Sequence, residues 1–438
     1  MPTAEPTAPG KKYKPRHVAK LSNNPVFGRS QLLAQLQKKT SELAATSNFP
    51  GLAAFAPQHF WVWISNYLKS TFHRKYKPFP VYPPGMTGIY PLQAADGGTA
   101  IKIAIAGDWG TGTQEAEQVA ESMLHCHPDC TVHLGDVYFV GDAPEIEENC
   151  LGKSCNGYEG VKWPHGSQGS FALNGNHEMY GGGEAYFKVF LPTLGLGKPG
   201  LGKAGPGKHL PKQPTSFCCL ETACWRILIV DTGYNSVGLP ILGELPWINS
   251  WSWVGADCRL EDGLISWLRD VVQPQKHIKP TVLLSHHQYF TAFADQAYTV
   301  PARQLAEFFP NQELVWIWGH EHRMAIYDRF ALKQGGNLRA YGRCLGHGGM
   351  PVQVSNPGSF DKAKAPITFY DSSTHKLSDG TLVGRNGFVV LTLDGYTLTL
   401  DYRDLNNQPM FAETFAGQAD GTLQYSYLPP PAGGLTPA

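Results

Sequence analysis

The chain has 438 residues, 36 basic and 36 acidic, with a formal net charge of +0; only 16% of its side chains are charged, against about 25% in an average soluble protein. With 48 Gly and 34 Pro, this is a neutral globular composition with long loops, enough chain for a large α/β domain with appendages, and it excludes a coiled coil or an acidic disordered tail. The balanced charge leaves no electrostatic footprint for nucleic acid or an anionic membrane, so neither is an expected partner.

Residues 1–30 read as an arm, basic and Pro-rich, with no apolar stretch of a secretory leader behind it. The most lipid-like window, 49–68, is interrupted by Pro57, Gln58, His59, Ser65 and Asn66. No membrane-spanning helix is therefore expected, and the chain reads as cytoplasmic. Leu32, Leu33, Leu36 and Leu43 predict a helix over 31–45. The aromatic and basic stretch that follows, to about residue 84, reads as a helix packed on the main domain, with a membrane-surface helix as the alternative.

From residue 100 the pattern changes to short apolar runs typical of buried parallel strands: 101–106, 131–134, 170–173, 225–230, 281–284 and 314–318. Helices are predicted at 114–124, with Thr113 as N-cap, and at 263–272 and 302–308. Strands alternating with helices imply crossover connections and a parallel or mixed sheet. The run GFVVLTLDGYTLTLDYRD predicts a late hairpin turning at Asp394-Gly395. Residues 194–214, rich in Gly and carrying Lys198, Lys203, Lys208 and Lys212, read as a mobile surface loop. Nine scattered cysteines do not make a small disulfide scaffold, although Cys150 and Cys155 are spaced for a local bridge.

Five of the six apolar runs end within a residue or two in a potential metal ligand. These are Asp108, Asp136, Asn176 with His177, His286, and His320 with His322. In open α/β sheets ligands bind outside the carboxyl ends of the strands, so these side chains are expected to converge. Their oxygen and nitrogen donors suit Zn, Mn or Fe rather than Ca. Six ligands exceed the needs of one tetrahedral ion; two ions roughly 3.5–4 Å apart, sharing a carboxylate, would use them and suit in-line displacement at phosphorus.

The ordered blocks Gly107-Asp108, Gly135-Asp136, Gly175-Asn176-His177-Glu178, His286 and Gly319-His320-Glu321-His322 resemble the five-block signature of the calcineurin-like metallophosphoesterases, over residues 100–402. The resemblance implies an α/β fold, a four-layer α-β-β-α sandwich with mixed sheets, carrying a dinuclear site. It implies that Asp136 bridges the ions, that Asn176, His286 and His320 complete one, and that Asp108 and His322 belong to the other. His177 would contact the phosphoryl group or protonate the leaving oxygen. The expected activity is a phosphatase or phosphodiesterase that directs a metal-bound hydroxide in line at a small phosphate ester.

Two departures stand out. The first block reads Asp108-Trp109-Gly110, without the usual His. That form is similar to purple acid phosphatases, which place a tyrosine three residues after the bridging Asp; here Phe139 stands there and Tyr138 precedes it. Adjacent residues at a strand end usually point to opposite sides, so the chain resembles a branch lacking the iron-binding tyrosine. The Asp108 ion would then have three protein ligands and no tyrosinate colour. The same departures support the alternative of a non-catalytic metal- or phosphate-binding scaffold. His287, Tyr138 and His347 are candidate substrate contacts. The cluster from His125 to Cys130 precedes a strand, at the opposite sheet end, and reads as structural, and Asp231 as a turn organiser. Residues 1–98 are read as an N-terminal extension, 99–415 as the catalytic domain and 416–438 as a tail.

Overall fold

A computed structural model describes residues 77–94, 98–138, 140–154, 160–197, 212–237, 257–354, 360–376 and 382–428. Phe139, Cys155, the helix expected at 31–45 and most of the aromatic–basic stretch lie outside these residues.

The apolar runs form the strands Ala100–Ala106, Cys130–His133, Gly169–Ala172, Arg226–Ile229, Thr281–Ser285 and Glu313–Trp318, each within about a residue of its expected bounds. They divide between two eight-stranded mixed sheets. In one sheet the first three of these strands run parallel, and Ala100–Ala106 also pairs antiparallel with Gly387–Asp394. That strand opens a meander through Thr397–Asp404 and Pro409–Gly417 to Leu423–Leu428. In the other, Arg226–Ile229, Thr281–Ser285, Glu313–Trp318 and Arg339–Leu345 run parallel, with antiparallel Met324–Phe330 and Ile367–Tyr370 beyond.

Period-two burial explains the layering. Ile101, Ile103 and Ile105 point inward with Val132, Phe171, Ile227, Val282 and Val315 into a core between the sheets. Ala104 and Ala106 face outward, under the helices Gln114–His125 and Ala143–Asn149. Leu228, Leu283 and Trp316 face the other way, under Asp262–Trp267 and Thr299–Leu305. Three apolar cores thus separate four layers, α-β-β-α. Thr113 caps the first helix as expected, accepting the Ala116 N–H at 3.2 Å.

Several expectations move. The hairpin loop is Gly395-Tyr396, one residue later than expected, because Asp394 still pairs with Thr397. Leu423–Leu428, assigned to a tail, is an edge strand of the sheet. Ile89–Pro91, assigned to the N-terminal extension, pairs with Cys218–Glu221. Both ends of the Gly/Lys loop are anchored: Gly195–Leu196 pairs with Gly169–Ala172, and Lys212 bridges to Gly195. No helix long and apolar enough to cross a membrane occurs among the described residues.

Candidate metal centre

Asp108 follows Ala100–Ala106, Asp136 follows Cys130–His133, Asn176 opens the helix Asn176–Tyr180 behind Gly169–Ala172, His286 follows Thr281–Ser285, and His320 and His322 follow Glu313–Trp318. Because these strands are parallel within each sheet, their carboxyl ends lie side by side, and the two sheets bring both sets of ends to one cleft.

The backbone there is held in sparsely populated conformations. Asp108, Asp136 and His320 have φ of 55°, 70° and 65°, each costing about 1–3 kcal/mol unless the surroundings enforce it. Crossed hydrogen bonds do so. The His320 N–H donates to Asp108 Oδ2 at 2.7 Å, and the His177 N–H to Asp136 Oδ1 at 3.0 Å. Glu178 Oε2 accepts from the Asp136 and Gly175 N–H groups at 3.2 and 3.0 Å. A Cβ on Gly175 would stand 2.1 Å from Asp136 Oδ1, and one on Gly319 2.5 Å from Asp108 Oδ2, so glycine precedes Asn176 and His320 because carboxylates pack onto those backbones.

The donor atoms converge in two groups. Asn176 Oδ1 lies 3.0 Å from both His286 Nε2 and His320 Nδ1, and His286 Nε2 lies 3.2 Å from Asp136 Oδ2. His322 Nε2 lies 3.4 Å from Asp108 Oδ1. His286 Nδ1 is 2.8 Å from the Leu134 carbonyl and donates to it, which leaves Nε2 as the nitrogen facing the Asn176 and Asp136 oxygens. Nitrogen and oxygen atoms converging at about 3 Å are what adjacent ligands of an ion bound at roughly 2.1 Å present. The residues therefore fit a metal centre. Donor atoms of Asp108, Asp136 and His286, and separately of His286, His287 and His320, lie within 4.8 Å of one another.

The electrostatics agree. Burial opposes charge on Asp136, but His286 and His177 outweigh it and hold its carboxyl well below the ordinary range. Burial likewise opposes charge on His286, yet the Asp136 and Asp108 carboxylates push its imidazolium up to about 10. His320, buried and beside His286, is lowered to about 4. Burial, with Asp136 next to it, raises Glu178 to about 8. Cationic charge is wanted at the carboxylates.

Tyr138 faces the Asp108 half rather than the opposite side, where the alternation of adjacent residues placed it. Its phenol oxygen, 1% exposed as a residue, lies 2.7 Å from Asp108 Oδ1, 2.9 Å from His322 Nε2 and 3.2 Å from Asp136 Oδ2. The physical reason is the left-handed turn at Asp136, after which the chain is pinned where Val137 bridges Gly110 and the Tyr138 N–H donates to the Gly110 carbonyl at 2.9 Å.

His177 lies at the open side of the cluster, its side chain 20% exposed against 1% for Asp136, with Nε2 3.9 Å from Asp136 Oδ2. Its ring packs between Tyr138 and Tyr180, at 4.3 and 5.0 Å. His347 is fully buried, and its Nε2 stands 3.0 Å from where a Cβ on Gly387 would be. Asp231 organises its turn as expected, accepting the Gly233 and Tyr234 N–H groups at 2.8 Å. In the His125–Cys130 cluster, Cys126 donates to Asn407 and Asp129 accepts the Lys102 N–H, a structural arrangement. Glu178 was not singled out from the sequence; its signal was the capping position three residues after Gly175.

Residues 101–324 match the family model described as calcineurin-like phosphoesterase, half of the chain, and the chain belongs to that family. No curated protein matches. Among solved structures the chain is similar to GAP50, the anchor in the inner membrane complex of Plasmodium, at 15% identity over 72% of this chain and 88% of that one, with a TM-score of 0.41. It is similar also to PhoD, at 13% identity over 77% and 73%, TM-score 0.42. A third is a predicted phosphoesterase from Streptococcus pneumoniae TIGR4, at 10% identity over 72% and 98%, TM-score 0.24.

Proposed function

We propose, with membership of that family as the premise, that the chain is a dinuclear metal-dependent phosphoric ester hydrolase. Asp136, Asn176, His286 and His320 would hold one ion; Asp108, Asp136, Tyr138 and His322 would hold the other. Mn, Zn and Fe all suit this mixed oxygen and nitrogen set. Bound there, two ions would polarise phosphoryl oxygens and lower the pKa of water.

The chain's own residues supply the rest. Asp136, anchored by the His177 N–H, touches both donor groups through one oxygen, with His286 Nε2 and the Tyr138 phenol each 3.2 Å from its Oδ2. Glu178 holds the Asp136 turn through two backbone N–H groups. His177 stands at the exposed side with its Nε2 near Asp136, where it can hold a phosphoryl oxygen or pass a proton to the leaving oxygen. A small phosphate ester would enter past it. The observation that carries this reading is the convergence of Asn176 Oδ1, His286 Nε2, His320 Nδ1 and Asp136 Oδ2 within about 3 Å of one another.

The test combines elemental analysis with hydrolysis of p-nitrophenyl phosphate and bis-p-nitrophenyl phosphate across Mn²⁺, Zn²⁺, Fe and Mg²⁺. Wild type should bind two equivalents and turn over one of the esters; Asp136→Ala should lose both ions and the activity. Metal-loaded protein silent toward both esters with every ion would point instead to a binding scaffold. Two equivalents retained by Asp136→Ala would refute the bridging role.

A further inference from the structure

We infer that His287 is an additional metal ligand of the Asn176 half of the centre, which makes that half a three-imidazole site preferring zinc-like ions to Mg²⁺ or Mn²⁺. The inference rests on the metal-centre reading above and adds a residue to it.

His287 follows His286 directly, and both rings reach the same place. The two ring centroids are 4.8 Å apart at 86°, and the His287 ring lies 4.5 Å from that of His320. Donor atoms of all three fall within 4.8 Å of one another. His287 is 2% exposed, so this edge is not a surface histidine that happens to face inward.

Thr232 fixes the ring. Thr232 Oγ1 accepts the His287 backbone N–H at 3.0 Å and lies 3.1 Å from its Nδ1. Thr232 comes from the loop after Arg226–Ile229, the strand beside Thr281–Ser285. That hydroxyl engages Nδ1, which leaves Nε2 as the nitrogen free of Thr232. Tyr298 stands edge-on against the same ring at 4.9 Å and backs it. A second-sphere partner that fixes one imidazole nitrogen while the other points at the ion is the usual arrangement of a ligating histidine; His286 has it too, through the Leu134 carbonyl.

With Asp136 and Asn176, the half-site then offers five protein donors, three of them imidazole. Imidazole suits Zn, Cu, Fe and Ni, whereas Mg and Mn favour oxygen. The Asp108 half, with two carboxylates, a phenol and one imidazole, has the opposite bias. The two halves should therefore differ in which ion they take.

The test uses the full chain stripped of metal and reloaded with one equivalent of Zn²⁺. X-ray absorption fine structure should count three imidazoles at about 2.0–2.1 Å from zinc; one or two would overturn the inference without needing any variant. In chelator competition, His287→Gln, whose amide can still reach Thr232, should weaken Zn²⁺ at least about tenfold and Mn²⁺ less, so the Zn/Mn selectivity falls. Unchanged selectivity in a variant with a wild-type circular dichroism melt also overturns it. If the stripped wild type takes up no metal at all, the proposed function fails together with this inference. Zinc bound by only two imidazoles leaves that function standing.

Discussion

Replacing Tyr138 by Phe is the sharpest probe of the centre, because it removes one oxygen and leaves the ring. In the structure that oxygen touches Asp108 Oδ1, His322 Nε2 and Asp136 Oδ2 at 2.7, 2.9 and 3.2 Å. The Asp108 half-site would drop from four protein donors to three. Outer-sphere partners of metal ligands are worth roughly 10–100-fold in affinity, and a direct donor should cost at least the upper end, about 2.7 kcal/mol. Burial, with the neighbouring Asp108 and Asp136 carboxylates, holds the phenol proton far more tightly than usual, so an ion binding through this oxygen must displace a proton. Its affinity should rise with pH, more steeply in wild type than in the variant. Ferric-loaded wild type should show a visible tyrosinate-to-iron band that Tyr138→Phe lacks. In a metal titration the variant should keep one tight equivalent and weaken the other. A colourless iron-loaded wild type, or identical titrations, would show that the phenol only hydrogen-bonds to its neighbours.

His177→Ala should keep both ions and lose roughly 10²–10⁴-fold in kcat; metal loss on elemental analysis would make His177 a ligand instead. Arg343 and Glu413, 1% and 0% exposed by side chain, join the two sheets through bonds of 2.6 and 2.7 Å. Glu413→Leu should therefore cost about 3–5 kcal/mol in urea unfolding by stranding a buried guanidinium, and the added change Arg343→Met should restore most of it. Burial lowers His347 to about 4 from 6.5. The unfolded chain then binds the extra proton first, so this residue's contribution is intact above pH 6.5 and about 3 kcal/mol is lost on acidifying through pH 4. Denaturation of His347→Gln should show a shallower acid limb over that window, and an unchanged limb would contradict it.

The strands, the helix cap at Thr113 and the six side chains that converge at the strand ends were legible in the chain itself. Buried strands announce themselves as short apolar runs, and a ligand at the end of each run needs no knowledge of its neighbours. The glycines before the ligands were legible as motif letters, but their reason was not: Gly175 and Gly319 are glycine because carboxylates from Asp136 and Asp108, distant in sequence, lie against them. Pairing of Leu423–Leu428 with Pro409–Gly417 depends on a partner strand and so escaped a reading of local composition. The same holds for Glu178, whose carboxyl matters because it reaches the Asp136 backbone. Tyr138 marks the boundary most clearly. Residue spacing alone set it one position away from the expected tyrosine, and the sequence could say only which side chain was present. The left-handed turn at Asp136 and the bridge from Val137 to Gly110 aim its oxygen at Asp108 and His322. Which donors meet is decided by where two sheets bring separate strand ends, a long-range contact that no local pattern encodes.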